Sequence, residues 1–330
     1  EIGVRLVGSE MCIRDSPLTP PVKTAKVGNV DVNGKTVNVG DTVDFTVSAA
    51  VPASADNYDV YPFTITDTAS RGLQVAATST FKVQVDGTNV DDSLYTVSQT
   101  GSAQSGTTTT ITFTNAKSLK GKTIVVSYTG VVTKDALTGL DGSVDNKATI
   151  ITNGGTSDEG KTESKTYGFQ FKKIGVDNDA NALAGAQFVV KKKDGKFLKQ
   201  DTESKAWSSV DDQTNATVFT SGADGLVQFK GLAAGDYTVM ETNAPNGYAQ
   251  NFKVTFDVSI AENGTVTFKQ DLLHQVTLPT GDQIATVKNV KSITQLPLTG
   301  AAGTTLFTVV ALLVAGAGVT VAVKSRQRMH

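Results

Sequence analysis

Strand periodicity gives each residue of an alternating run a face, and in this sequence it places six polar side chains on apolar faces. Phe169, Phe171 and Lys173 share a face, as do Tyr237, Val239 and Glu241, and Val287 and Asn289. Earlier in the chain Asp67 falls with Phe63 and Ile65, and Asn146 with Ala148 and Ile150, while Lys26 follows Val22 and Thr24 on a weaker first strand. A lysine, an acid and an asparagine thus occur twice, in that order. Burying such groups unpaired is costly, and any one of them taken alone is accounted for as a hydrogen-bonded core group or a residue at a frayed strand end. Repetition of the trio points to another chemistry, an isopeptide bond between the lysine amine and the asparagine carboxamide with loss of ammonia. Desolvation favours the neutral amine, which is the nucleophile, and the protonated carboxyl, which can hydrogen-bond to the carboxamide and polarise it.

Composition removes most competing chemistries. The 330 residues hold one cysteine (Cys12), two histidines (His274 and His330) and one tryptophan (Trp207). A disulfide framework and a Cys/His zinc site are excluded, and no histidine stands near a plausible nucleophile for Ser-His-Asp or Cys-His catalysis. No cofactor and no metal is expected. Asp177, Asp179 and Asn181 have the spacing of a calcium loop, but Ala182 and Phe188 occupy the positions that need glycine and glutamate, so the segment reads as a turn. Thirty basic residues against 32 acidic ones leave a formal charge of -2 and no basic block in the body of the chain, which argues against nucleic acid as a partner. With 39% hydrophobic and 19% charged residues the chain can bury true cores.

The elements that must position the trios are strands. Val37, Val39, Val43, Phe45, Val47, Ala49 and Val51 all fall on odd positions, and similar runs follow at Phe81/Val83/Val85, Ile111/Phe113 and Ile124/Val126/Tyr128. Turn signals such as Asp86-Gly87 and the GSAQSG stretch from Gly101 to Gly106 separate them. No long helical period occurs before residue 300. The polar stretch Asn153 to Lys165 reads as a loop and linker, which divides the body into two β-sandwiches at residues 17–165 and 166–292.

Both ends differ in character. Residues 1–16, EIGVRLVGSEMCIRDS, have no apolar run long enough for the core of a secretory signal. Leu6 to Ser16 resembles a translated sequencing adapter, so the segment is set aside as an artefact, Cys12 with it. Residues 293–330 hold Leu296, Pro297, Leu298, Thr299 and Gly300, then Ala301 to Val323, apolar or small throughout, then a tail with Lys324, Arg326 and Arg328. Twenty-three such residues can span a bilayer as a helix, with the basic tail holding the end in the cytoplasm.

LPLTG with its span and basic tail resembles the LPxTG sorting signal of Gram-positive surface proteins. YTVMETNAPNGY (Tyr237 to Tyr248) is similar to the E-box of Gram-positive pilins, and LAGAQFVVKKKDG, preceded by FQFKKIGVD, resembles the opening of a CnaB-type domain. PPVKTAKV, VNVGDTVDFTV, YPFTITDTASRGL and DNKATI resemble the CnaA-like middle domain of LPxTG backbone pilins of the Spa type. The resemblance implies an all-β fold of two tandem immunoglobulin-like sandwiches followed by a transmembrane sorting helix. It makes Glu241 the acid, Lys173 the amine and Asn289, in ATVKNV, the acceptor, with Lys172 as the nearest rival. In the first domain it carries over Lys26, Asp67 and Asn146, with Lys23 as a second candidate. The family's pilin motif, whose lysine receives the next subunit, falls where the adapter-like residues stand, so that lysine and an N-terminal domain are expected outside this sequence.

The expected function is therefore mechanical: a pilus subunit, no enzyme, crosslinked internally and joined to the cell wall. Its expected partners are class-specific and housekeeping sortases, neighbouring pilin subunits, a peptidoglycan precursor and a host or matrix ligand. The alternative from another class is an anchored adhesin that does not polymerise and binds such a ligand directly.

Overall fold

Alternating β-branched and polar residues give strands with one face for a core and one for solvent, and the described residues form an all-β structure. The computed structural model describes residues 18–271, 273–279 and 283–296. The adapter-like residues 1–16, Pro297 to Gly300 and the expected transmembrane helix lie outside the described residues. Within those described, the first of two compact units holds residues 18–34, 42–136 and 144–164, and the second holds 35–41, 137–143 and the remainder from 165.

The first unit is a sandwich of two antiparallel sheets. In one, Val22–Val27 pairs with Thr42–Ala50, which pairs with Thr123–Val132, which pairs in turn with Lys82–Val85. In the other, Phe63–Ala69 lies between Gly106–Phe113 and Gly142–Thr152, with Tyr95–Ser102 outside Gly106–Phe113. Phe45, Val47, Val126 and Tyr128 from one sheet and Phe63, Ile65, Ile111 and Phe113 from the other are all buried.

The second unit repeats the plan with other strands. Gly160–Gly175 pairs antiparallel with Leu226–Leu232 and parallel with Ala285–Asn289. The facing sheet runs from Gln187–Lys192 to Gly235–Asn243, Thr255–Ile260 and Val266–Phe268, all antiparallel. Aromatic rings fill the space between. Phe171 meets Phe188 edge-on at 5.0 Å and Phe256 at 5.3 Å, and Phe169 stacks on Phe229 at 4.6 Å.

Two sequence expectations change. The stretch Asn153 to Lys165 is not a loop and linker: it holds a two-residue strand, Gly155–Thr156, and the first part of the strand Gly160–Gly175. The inward residues of the strand's first part, Thr162, Ser164 and then Thr166 just past the stretch, are hydroxyls, and they hydrogen-bond to the carbonyls of Asn146, Val32 and Leu232. An apolar period cannot reveal a strand whose buried face is made of satisfied hydroxyls. The odd-numbered run from Val37 to Val51 also divides, since Gly40 takes a φ of +102° and Val37 and Val39 go with the second unit. The hairpin signal at Asp86-Gly87 is a turn with φ of +50° and +76°, the left-handed pair that a two-residue hairpin requires.

Candidate functional site

Each unit gathers one lysine, one acid and one asparagine in its core. In the second, the strand Gly160–Gly175 buries Phe169, Phe171 and Lys173 on one face, with Lys173 wholly buried. Its parallel neighbour places Val287 opposite Lys173 and Asn289 opposite Gly175. Glu241 comes from the facing sheet. Its Oε1 lies 3.5 Å from Lys173 Nζ, and its Oε2 accepts from Asn289 Nδ2 at 3.3 Å and from the Val254 N–H at 3.0 Å. Lys172, on the other face, is half-buried and outside this cluster.

In the first unit, Lys23 takes the place expected of Lys26. The Lys23 side chain is buried, and its Nζ hydrogen-bonds to Asp67 Oδ2 and, at 2.8 Å, to Tyr128 Oη. Lys26 is exposed, beside Asp44 and Asp31 in the register. Pairing is the reason. Ala25 stands opposite Phe45 and Lys23 opposite Val47, and residues opposite each other in an antiparallel pair share a face. With Phe45 and Val47 in the core, Lys23 must enter it and Lys26 must leave. Asp67 and Asn146 are buried where their alternation puts them, on neighbouring strands of the other sheet.

Tyr128 is the residue that sequence reasoning left among the core aromatics. Its hydroxyl donates to Asp67 Oδ1 at 2.7 Å and accepts from Asn146 Nδ2 at 2.7 Å. The available signal was a phenol on an inward face, whose hydroxyl must find a partner.

Burial pushes both lysines towards the neutral form. Desolvation lowers Lys23 against the opposing pull of Asp67, and it lowers Lys173 to about 8 against the opposing pull of Glu241. Burial, and then the charge of Asp67, raises Tyr128 well above the usual phenol range. Polar satisfaction is poor at both clusters. Among the described residues, the buried side-chain atoms without a hydrogen-bond partner are Asn146 Oδ1, Lys173 Nζ, Glu241 Oε1, Gln275 Oε1 and Asn289 Oδ1, and four of these five belong to the two trios. Native cores rarely leave such atoms open.

Of the sorting residues, Leu296 is described. It is buried with Phe252 and Val290.

Tandem immunoglobulin-like sandwiches ahead of a sorting signal define a cell-wall-anchored surface protein. Residues 168–272 match the SpaA prealbumin-like fold domain, and residues 288–328 match the LPXTG cell wall anchor motif. These two matched segments liken the chain to LPXTG-anchored Gram-positive pilins of the Spa type. The pilus 2b backbone protein of group B streptococcus is similar at 27% identity and a TM-score of 0.57, over 82% of this chain and 98% of that one. The fold is shared with the full-length major pilin RrgB from Streptococcus pneumoniae (16% identity, TM-score 0.61, 83% and 75% covered). It is also shared with the Corynebacterium diphtheriae major pilin SpaA (18% identity, TM-score 0.55, 84% and 70% covered). No curated protein matches the chain.

Proposed function

We propose that this chain is a structural subunit of a sortase-assembled pilus, with one intramolecular isopeptide bond in each sandwich: Lys23 to Asn146 beside Asp67, and Lys173 to Asn289 beside Glu241. The observation that carries the reading is the pair of buried, incompletely satisfied trios. A structure that kept them as free side chains would hold the desolvation cost permanently, whereas the bond removes a titratable amine and leaves a neutral amide that the acid can hydrogen-bond.

The reaction balances without any co-reactant. Neutral Nζ attacks the asparagine Cγ, the Nζ–Cγ bond forms, the Cγ–Nδ2 bond breaks and ammonia leaves. In the second unit Glu241 is near both partners. A half-turn of the Asn289 carboxamide puts Oδ1 on Glu241 in place of Nδ2, and the protonated carboxyl then donates to the oxygen as negative charge develops on it. The proton shed by Nζ returns through the same carboxyl to the departing nitrogen.

The bonds would serve mechanics. Lys173 lies on the strand that leads into the second unit and Asn289 on its last strand, so a tensile load would otherwise shear the backbone hydrogen bonds of a parallel pair. In the first unit the tie would join two facing sheets, because Lys23 and Asn146 belong to different ones. Each closes a loop of more than a hundred residues, which by the entropy of the unfolded chain stabilises by roughly 5 kcal/mol.

At the sorting signal a sortase thiolate would attack the Thr299 carbonyl, release Gly300 onward and pass the acyl group to an amine, that of the next pilin during assembly or of the peptidoglycan precursor at anchoring. Binding of a host or matrix ligand would follow from display on the pilus. The deciding experiment is digestion of the denatured full chain followed by mass spectrometry. Branched peptides joining Lys23 to Asn146 and Lys173 to Asn289, each lighter by one ammonia, are expected, and only linear peptides from folded protein would refute the crosslinks.

A further inference from the structure

The two clusters differ in how a proton can travel, and the difference rests on one hydroxyl. Bond formation requires a proton to leave Nζ and another to reach Nδ2, since ammonia and not an amide anion must depart. In the second unit one carboxyl is near both nitrogens, with Glu241 at 3.5 Å from Lys173 Nζ and 3.3 Å from Asn289 Nδ2. In the first unit the acid is shorter by one methylene. The side-chain hydrogen bonds of Asp67 run to Lys23 through Oδ2 and to Tyr128 through Oδ1, and Asn146 Nδ2 bonds to the Tyr128 hydroxyl at 2.7 Å. Tyr128 also touches Lys23 Nζ at 2.8 Å, so one oxygen contacts all three members of the trio.

We infer that the Tyr128 hydroxyl is a catalytic proton relay for the first-domain isopeptide bond, passing a proton from Asp67 to the departing Asn146 Nδ2. The inference rests on the crosslink proposed above. Nζ attacks Cγ and gives its proton to the Asp67 carboxylate. As the Cγ–Nδ2 bond breaks, Tyr128 gives its proton to Nδ2 and takes one from Asp67. Ammonia leaves, and the phenol and the carboxylate end as they began.

The surroundings suit this role. Tyr128 is buried, and its ring is stacked on Phe81 at 4.6 Å and 7° and on Phe45 at 5.4 Å and 21°, which fixes the hydroxyl against rotation out of the cluster. Burial also holds the phenol in its neutral form, so it can donate and accept together. The ring lies on the sheet that carries Lys23, while Asp67 and Asn146 lie on the other, so the hydroxyl bridges the sheets where the bond would form.

Tyr128→Phe keeps the stacked ring and deletes the relay. In the full chain, refolded and sampled over time by peptide mass, Lys23–Asn146 bond formation should slow by about 100-fold or more, while Lys173–Asn289 forms at the wild-type rate. Formation of both bonds at wild-type rates would overturn the inference. Absence of the Lys23–Asn146 peptide from the wild-type chain would instead overturn the crosslink reading on which it rests. A fluorinated tyrosine at position 128 guards against a folding defect in the phenylalanine variant, since it keeps ring and hydroxyl but is more acidic. It should shift the pH profile of first-bond formation; an unchanged profile would assign Tyr128 to packing alone and overturn the relay.

Discussion

Lys173 and Asn289 stand on one face of two adjacent parallel strands, two residues out of register, with Lys173 opposite Val287 and Asn289 opposite Gly175. A diagonal neighbour of this kind is within reach of a long side chain. A lysine on one strand can therefore span to the asparagine on the next without any backbone shift, while the acid enters from the facing sheet.

Each acid should serve its own unit alone. Glu241→Gln is expected to remove the Lys173–Asn289 bond and leave the Lys23–Asn146 bond, and Asp67→Asn to do the reverse, as read by intact mass. Each loss should destabilise its own unit by roughly 5 kcal/mol and expose that unit to protease. Loss of both bonds from one substitution would contradict separate sites.

The identity of the first amine is decided by two variants. Lys23→Arg should abolish the first bond, because a guanidinium remains charged and is not a nucleophile. Lys26→Arg should keep the loss of one ammonia at the first bond, relative to its own sequence mass, and change stability by no more than about 0.5 kcal/mol, as befits an exposed position. A branched peptide through Lys26 would reverse the assignment.

An uncrosslinked second unit should show a lysine in its pH dependence. In Asn289→Ala, Lys173 remains an amine whose folded-state value is lowered from 10.5 to about 8 by burial. Between those values the unfolded chain binds more protons than the folded one, so stability rises with pH across that window, by about 3 kcal/mol in all. Below about 8 the lysine adds no slope. The crosslinked chain has no such amine, and the difference between the two urea midpoints should narrow from pH 8 to 10.5. A gap that stays constant would mean that Lys173 escapes the core when unbonded.

Gly175 is the residue opposite Asn289, and a Cβ there would lie 2.3 Å from the Tyr248 hydroxyl. Gly175→Ala should displace the ring of Tyr248 and destabilise the second unit by about 1–3 kcal/mol. Unfolding by urea measures it, and an unchanged midpoint would show that the ring yields freely.

Sorting should end the mature chain at Thr299. Wall fractions digested with a peptidoglycan hydrolase should yield a C-terminal peptide that finishes at Thr299 and carries a wall or pilin amine. Wall-linked protein that still contains Ala301 to His330 would count against cleavage there.

The sequence alone determined what depends on local alternation and on contiguous motifs. Phe169 to Lys173, Tyr237 to Glu241 and Val287 to Asn289 sit in runs with strong period-2 contrast, so their faces follow from covalent geometry. The sorting signal is equally local, a motif, an apolar stretch and a basic tail in one line of text. What tertiary structure decided is whatever depends on a partner strand. In VKTAKV the two faces carry Val22, Thr24 and Lys26 or Lys23, Ala25 and Val27, nearly balanced in hydrophobicity, and only pairing with Phe45 and Val47 chooses between them. The strand through Thr162, Ser164 and Thr166 was hidden because its buried face is polar and is satisfied by carbonyls distant in sequence. Tyr128 reads as one more core aromatic until two sheets close and bring Lys23, Asp67 and Asn146, residues 105, 61 and 18 positions away, around a single hydroxyl.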